Sequence, residues 1–324
     1  MPKLLSLSYN NPMSENPAHP HLGDLADQTT KRLALSLGLT GAFVIMEIVA
    51  GIIGNSLALL TDAAHNFTDV IALGLSWYAL KIAAQPAHAG KTFGYHRAGI
   101  LVALVNSTTL VLIALGIFYE AYRRFISPPA VNAPILIGIG MIAFLINAGT
   151  AWLVKNGSEH DLNLRSAFVH LMGDVLSTVG AVIAGVIIYF TKANWLDPLV
   201  SVLIGVLILY NAWGVLRDAM DILLESTPRD VNIKTMVDDL VKVEGVLGVH
   251  DLHVWSLTQS LRTMSAHILT EDIPISAGTD IQRKVNEILY HRYNIGHATL
   301  QLECVGCDPD SLYCDIAENN HVHA

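Results

Sequence analysis

Long apolar runs separated by short polar joints dominate the first two thirds of the chain, each of about the 20 residues that a helix needs to cross about 30 Å of hydrocarbon. Six such spans are predicted, near Leu33–Ile53, Leu57–Ala83, Ala98–Tyr119, Pro134–Val154, Ala167–Phe190 and Pro198–Val215. Pro86, Pro128, Pro129, Pro134, Pro198 and Pro228 all fall in connections or at a first turn, and none interrupts a span. Asp197-Pro198 reads as a helix start, an acceptor at the cap followed by the ring that suits the first helical position. From Glu225 the pattern changes. Val231–Val243 has helical periodicity, with Val237, Leu240 and Val241 on one face and Lys234, Asp238 and Asp239 opposite. Gly245–Leu257 and Leu261–Thr270 read as strands, the first alternating through Val249, Asp251, His253 and Trp255. Ser276–Tyr293 is a second helix, with Ser276 as its cap and Ile281, Val285, Ile288 and Leu289 as its apolar stripe, and His297–Cys304 is a third strand. This order makes a small open-faced α/β sandwich, with one sheet face buried and the other free for a partner. The chain divides into a flexible arm (1–30), an all-α bundle of six transmembrane helices (31–224), a small α/β domain (225–306) and a tail containing Cys and His (307–324).

Composition agrees with a membrane protein: of 324 residues, 52% are hydrophobic and only 15% charged. The net charge of −9 argues against a basic nucleic-acid surface. The first thirty residues hold no apolar core of signal-peptide length. The three cysteines, Cys304, Cys307 and Cys314, form an odd cluster that suits reduced thiols or metal ligands better than a disulfide framework. Lys31, Arg32, Lys81, Lys91, Arg97, Lys155, Arg165 and Arg217 lie on the side of the termini, against Arg123, Arg124 and Lys192 on the other. Both termini are therefore expected in the cytoplasm, in a plasma (inner) membrane protein.

Two polar stretches inside the spans carry the chemistry. His65 and Asp69 lie four residues apart in the second span, and His170 and Asp174 repeat that spacing in the fifth. On helices, each pair projects from one face about one turn apart. Titratable groups in a bilayer need a partner. Facing each other, the pairs offer two imidazole nitrogens and two carboxylates, a tetrahedral zinc set whose charges cancel the dication. The competing possibility is that each pair hydrogen-bonds within its own helix. Four protein ligands leave no vacancy for an activated water, which argues against an enzyme. Imidazole binds metal only when neutral and carboxylate only when ionised, so protons compete with zinc.

These residues resemble the cation diffusion facilitators, a family of transporters for zinc and related divalent metals. The resemblance rests on Leu59–Asp69, Phe93-Gly94-Tyr95-His96-Arg97, His170–Asp174 and Val249–Ser256, and it runs from about Lys31 to Cys314. It implies a homodimeric metal/proton antiporter with six transmembrane helices and a ferredoxin-like, metallochaperone-like cytoplasmic domain. It also places the transport ligands on His65, Asp69, His170 and Asp174, and resembles the zinc-preferring branch. The expected function is export of zinc, and potentially of other divalent cations, in exchange for protons. The alternative is a membrane metal sensor or metal-dependent membrane enzyme with a static site.

The resemblance further implies a cytoplasmic, regulatory zinc site at His250, His267 and Glu303, with Gln301 and Ser311 standing where some relatives carry His and Cys. Strand alternation puts His253 on the opposite face from His250. Arg97 and Glu225 resemble a pair that ties bundle to soluble domain across the dimer, and His88 and His96 fall where some relatives bind a second metal, although Lys91 and Tyr95 replace their histidines. Asp62, three residues before His65, is placed to hydrogen-bond an imidazole, to line a path or to make a helix–helix contact. Glu47, Asn106 and Asn147 read as interhelical contacts, with a role in the ion path as the alternative. His19, His21, His321 and His323 are dispersed tail histidines.

Overall fold

A computed structural model describes residue 38, residues 40–158 and residues 162–304. The expectations for the N-terminal arm, Cys307, Cys314 and the tail histidines therefore lie outside the described residues. Six long helices come first: α1 (Thr40–Gly54), α2 (Leu57–Ala83), α3 (Ala98–Ile126), α4 (Ala133–Ser158), α5 (Leu162–Thr191) and α6 (Leu196–Leu223). Of these, α3, α5, α6 and the Ala133–Trp152 part of α4 are long and apolar enough to cross a membrane. α1 is shorter in its described part, and the 27-residue α2 is long enough but carries Asp62, His65, Asn66 and Asp69. The bundle buries polar side chains beside its apolar clusters and turns large apolar ones outward: Thr61, Asp62, His65, Ser107, Thr178 and Ser201 are buried, while Leu112, Leu145, Trp152 and Leu203 are exposed. That arrangement suits a bilayer, where lipid solvates the apolar surface.

α3 packs along α6 and α4 along α5, whereas α2 and α5 meet over only a short stretch. Small residues set the two close pairs. A Cβ on Gly205 of α6 would come 2.8 Å from the Phe118 ring of α3, and one on Gly185 of α5 would come 2.8 Å from Ile137 of α4. With no hydrophobic drive between helices in lipid, such close backbone approach supplies the packing.

Asp197 does not cap its own helix. α6 begins earlier, with Trp195 at the cap position, and the fully buried Asp197 reaches across to α2. Its carboxylate accepts from the backbone N–H of Leu57 at 2.6 Å and of Ala58 at 3.3 Å, and from the Ser56 hydroxyl. The Arg124 guanidinium lies 3.6 Å away. A buried carboxylate needs several donors and a countercharge, and here the exposed N–H groups of a neighbouring helix provide the donors.

The C-terminal unit holds α7 (Ile233–Val241), β1 (Gly248–Ser256), β2 (Arg262–Leu269), α8 (Ile275–Tyr293) and β3 (Ile295–Glu303). The sheet order is β1-β2-β3, with β1 antiparallel and β3 parallel to β2. Met236, Leu240, Leu252, Val254, Met264, Ile268, Val285 and Leu289 form the core between sheet and helices. Asn232 caps α7 by accepting from Thr235 N at 3.0 Å. α8 starts after Pro274 rather than at Ser276, and ends at Asn294 in the left-handed region. Two details of the periodicity reading change. Val241 is exposed, and Asp239 is buried, where it accepts from Tyr293 Oη at 2.8 Å and Lys242 Nζ at 3.1 Å and pairs with Arg292. A short apolar stripe such as that of α7 tolerates a carboxylate at its edge when donors from α8 cover it.

Candidate metal centre

α2 carries His65 about 12 Å in from its first residue, at 1.5 Å per residue, so the first pair lies well inside the bundle. The Thr61 and Thr68 hydroxyls donate to carbonyls of the same helix at 2.8 and 2.7 Å, leaving the imidazole and carboxylates as the side chains that look outward from α2 for partners. They find them on α5. His65 Nε2 lies 3.4 Å from Asp174 Oδ1 and 3.7 Å from Asp69 Oδ2, and His170 Nε2 lies 3.4 Å from Asp69 Oδ2 and 3.7 Å from Asp174 Oδ2. The rings meet edge to face, with centroids 5.5 Å apart. His65, His170 and Asp174 bring donor atoms within 4.8 Å of one another, and Asp69 stands slightly further out.

These separations are longer than hydrogen bonds. Zinc bonds of about 2.0–2.1 Å in a tetrahedron give edges of about 3.3–3.4 Å between donors. The four nitrogen–oxygen distances of 3.4–3.7 Å are close to such edges. Access is uneven. The side chains of His65 and Asp174 are 10% and 14% exposed, those of Asp69 and His170 32% and 41%. The two open members share the end of the bundle at which α2 and α6 finish. Arg97, after α2, pairs there with Glu225, after α6, at 3.0 Å within one chain, and the soluble unit follows.

Asp62 does not satisfy an imidazole: His65 Nδ1 is buried without a hydrogen-bond partner among the described residues, and Asp62 faces Ser177 and Asn66 instead. The Asn147 amide nitrogen is likewise buried without a partner. His88 spends both ring nitrogens inside its own loop, on Tyr95 Oη and the Gly90 N–H, and His96 is exposed.

The second cluster lies on the outer face of the sheet. His250, His267 and Glu303 bring donors within 4.8 Å of one another. His267 Nδ1 is 2.9 Å and His250 Nε2 3.2 Å from the Glu303 carboxylate, yet neither contact is aligned as a hydrogen bond, and both nitrogens of the buried His250 lack a hydrogen-bond partner among the described residues. Unpartnered buried imidazole nitrogens around a carboxylate suit a metal ion better than a hydrogen-bond network. His253 departs from the alternation reading. β1 pairs His250 with His267 but His253 with Ser265, so Asp251 and Leu252 together oppose one residue. This bulge, with Asp251 at φ 46°, puts His253 on the same face as His250. His253 Nε2 lies 3.0 Å from Asp251 Oδ1, whose other oxygen is 3.5 Å from His267 Nε2.

Comparison with known proteins agrees with this architecture. Residues 33–224 match the model of the cation efflux transmembrane domain, and residues 228–305 that of the cation efflux protein cytoplasmic domain. The chain belongs to the cation efflux family. Cation efflux relatives resemble it along most of their length. It is 37% identical over 276 residues to the cadmium, cobalt and zinc/H(+)-K(+) antiporter of Bacillus subtilis (strain 168), covering 84% of this chain and 88% of that one. It is 34% identical over 299 residues to the zinc transporter ZitB of Escherichia coli (strain K12), covering 92% and 95%. It is 33% identical over 296 residues to the metal cation efflux system protein CzcD of Cupriavidus metallidurans (strain ATCC 43123 / DSM 2839 / NBRC 102507 / CH34), covering 91% and 92%. As a cation efflux protein, this chain is an integral membrane transporter and not an enzyme.

Proposed function

We propose that this protein exports zinc from the cytoplasm in exchange for protons, with His65, Asp69, His170 and Asp174 as the carrier site. The observation that carries the reading is the pair of His–Asp couples from α2 and α5, spaced as the edges of a zinc tetrahedron. The names of the Escherichia coli and Bacillus subtilis relatives, a zinc transporter and a cadmium, cobalt and zinc antiporter, support the same cargo. Carriage is favoured over a static sensor or enzyme site by family membership and by a donor set that leaves no vacancy.

Charge neutrality makes the loaded site tolerable in lipid, because two carboxylates offset one dication. The empty site holds two carboxylates against two imidazoles, and protons are the counter-ions those groups accept. Zinc entering from the open end displaces protons; closure of that end and opening of the other exposes zinc to proton competition on the far side. The distribution of Lys and Arg puts the open end, both termini and the soluble unit on the cytoplasmic side of the plasma membrane. His250, His267 and Glu303 would hold a regulatory zinc there, which would supply a cross-link between β1, β2 and β3. The protein acts as a homodimer, with the division between bundle and soluble unit near Glu225. The test is metal accumulation in a zinc-sensitive host. Wild type should lower cellular zinc and raise tolerance, and Asp174→Ala should do neither; equal behaviour of the two would end the proposal.

A further inference from the structure

Next to the zinc donors, toward the N-terminal end of α2, lies a cluster that zinc binding does not use. Glu47 of α1 is 0% exposed, and Asp62 of α2 and Ser177 of α5 are buried beside it. The Asn66 amide nitrogen reaches both carboxyl groups, Glu47 Oε2 and Asp62 Oδ2, and so sets them side by side. Glu47 Oε2 accepts from the Asn66 amide at 3.1 Å, while Glu47 Oε1 has no hydrogen-bond partner among the described residues. Asp62 fares worse. Its contacts to Asn66 Nδ2 and Ser177 Oγ are long, at 3.5 and 3.4 Å. The Ser177 hydroxyl has one hydrogen, and the Asp174 carbonyl at 2.8 Å is its better acceptor. The one hydroxyl hydrogen is shared between the Asp174 carbonyl and Asp62, so Asp62 receives a weak bond from it. Among the described residues no Lys or Arg forms an ion pair with either carboxyl.

Two adjacent carboxyls that receive one short hydrogen bond from a neutral donor are short of positive charge, and a cation shared between them relieves that shortage. The side chains that hydrogen-bond the two carboxyls among the described residues are the Asn66 amide and the Ser177 hydroxyl. Such a set lacks the imidazole or thiolate that retains zinc, and fits a small hard cation. We propose that Glu47 and Asp62 form a separate counter-cation site, in which a monovalent cation, either a proton or an alkali metal ion, bridges the two carboxyls. Ser177 couples it to the zinc site: its hydroxyl lies 2.8 Å from the carbonyl of the ligand Asp174 and 3.4 Å from Asp62 Oδ1, and donates to both. Zinc at one site and a monovalent ion at the other then compete through charge, because the two sets of carboxylates share one low-dielectric pocket. This inference rests on the transport reading above.

The test uses the full chain in proteoliposomes with a zinc-sensitive dye inside. Zinc uptake is followed under an opposing pH gradient without alkali ions, under a potassium gradient at equal pH and under a sodium gradient at equal pH, and equilibrium zinc binding is measured alongside. Wild type should be stimulated by at least one gradient, and the arm whose stimulation the Glu47 and Asp62 variants lose identifies proton or alkali ion at this site. Glu47→Gln should bind zinc as wild type does while its stimulation falls about tenfold, within the usual range of coupling between two sites. Asp62→Asn, run in parallel, should behave alike and stands in if Glu47→Gln does not fold. Wild-type stimulation retained in both variants, zinc binding lost in both as in Asp174→Ala, or zinc transport in wild type that answers to no gradient would each overturn the proposal. Absence of zinc transport in wild type would instead defeat the reading on which it rests.

Discussion

Asp239 sits under Arg292, Lys242 and Tyr293 on the seam between α7 and α8. The Tyr293 hydroxyl above all, then Lys242 and Arg292, hold its carboxyl at about 2, below the ordinary carboxylate range. A depressed native pKa contributes stability that is present above the unfolded value of about 3.9 and is lost as pH falls toward the native value. Unfolding of the full chain followed by tyrosine and tryptophan signals should therefore show Asp239→Asn less stable than wild type at neutral pH, with the difference shrinking between pH 4 and 2. A constant difference would mean that the amide costs packing rather than charge. At this scale the sequence told less than its periodicity promised. The i, i+4 spacing drew attention to His65, Asp69, His170 and Asp174 because a helix in lipid leaves few reasons for titratable pairs. His253 was misplaced because alternation assumes an unbroken strand, and nothing in His250-Asp251-Leu252-His253 announces that Asp251 takes the left-handed conformation that shifts the register. Glu47 and Asp62 were visible only as single polar residues, since their partnership is a tertiary fact.

Among elements, the long helices and the three strands were legible, although α3 and α6 run seven and eight residues past the predicted Tyr119 and Val215, and the joints between elements were not legible. Asp197-Pro198 looked like a local helix start, yet the carboxylate serves α2, some 140 residues earlier in the chain. Asp197→Ala would remove the acceptor for two backbone N–H groups and the Ser56 hydroxyl, while Arg124 keeps Glu120 and the Asn55 carbonyl. Each buried donor left unsatisfied costs about 1–3 kcal/mol, so a marked fall in the melting temperature of the detergent-solubilised protein is expected. The same measurement applies to Gly205→Val. Its side chain would enter the Phe118 ring, and overpacking of this kind costs about 1–3 kcal/mol. A melting temperature of Gly205→Val equal to wild type would show that α3 and α6 are held together by something other than this close approach.

For the whole molecule, composition declared a membrane protein and the break at Glu225 a change of environment, but the way the helices pair could not be read from either. The closest partners are α3 with α6 and α4 with α5, while α2 and α5, which bring the proposed carrier donors, share little surface. A ligand that binds the folded state stabilises it by about 2.7 kcal/mol at a concentration 100 times its dissociation constant. Zinc should therefore raise the melting temperature of wild type in a dose-dependent way, and more than that of Asp174→Ala. Since two scarcely packed helices depend on their passenger for adhesion, the unladen protein ought to be the looser one. Ranking metals by how far each stiffens it would then serve as a census of acceptable freight, obtained without moving a single ion across a membrane.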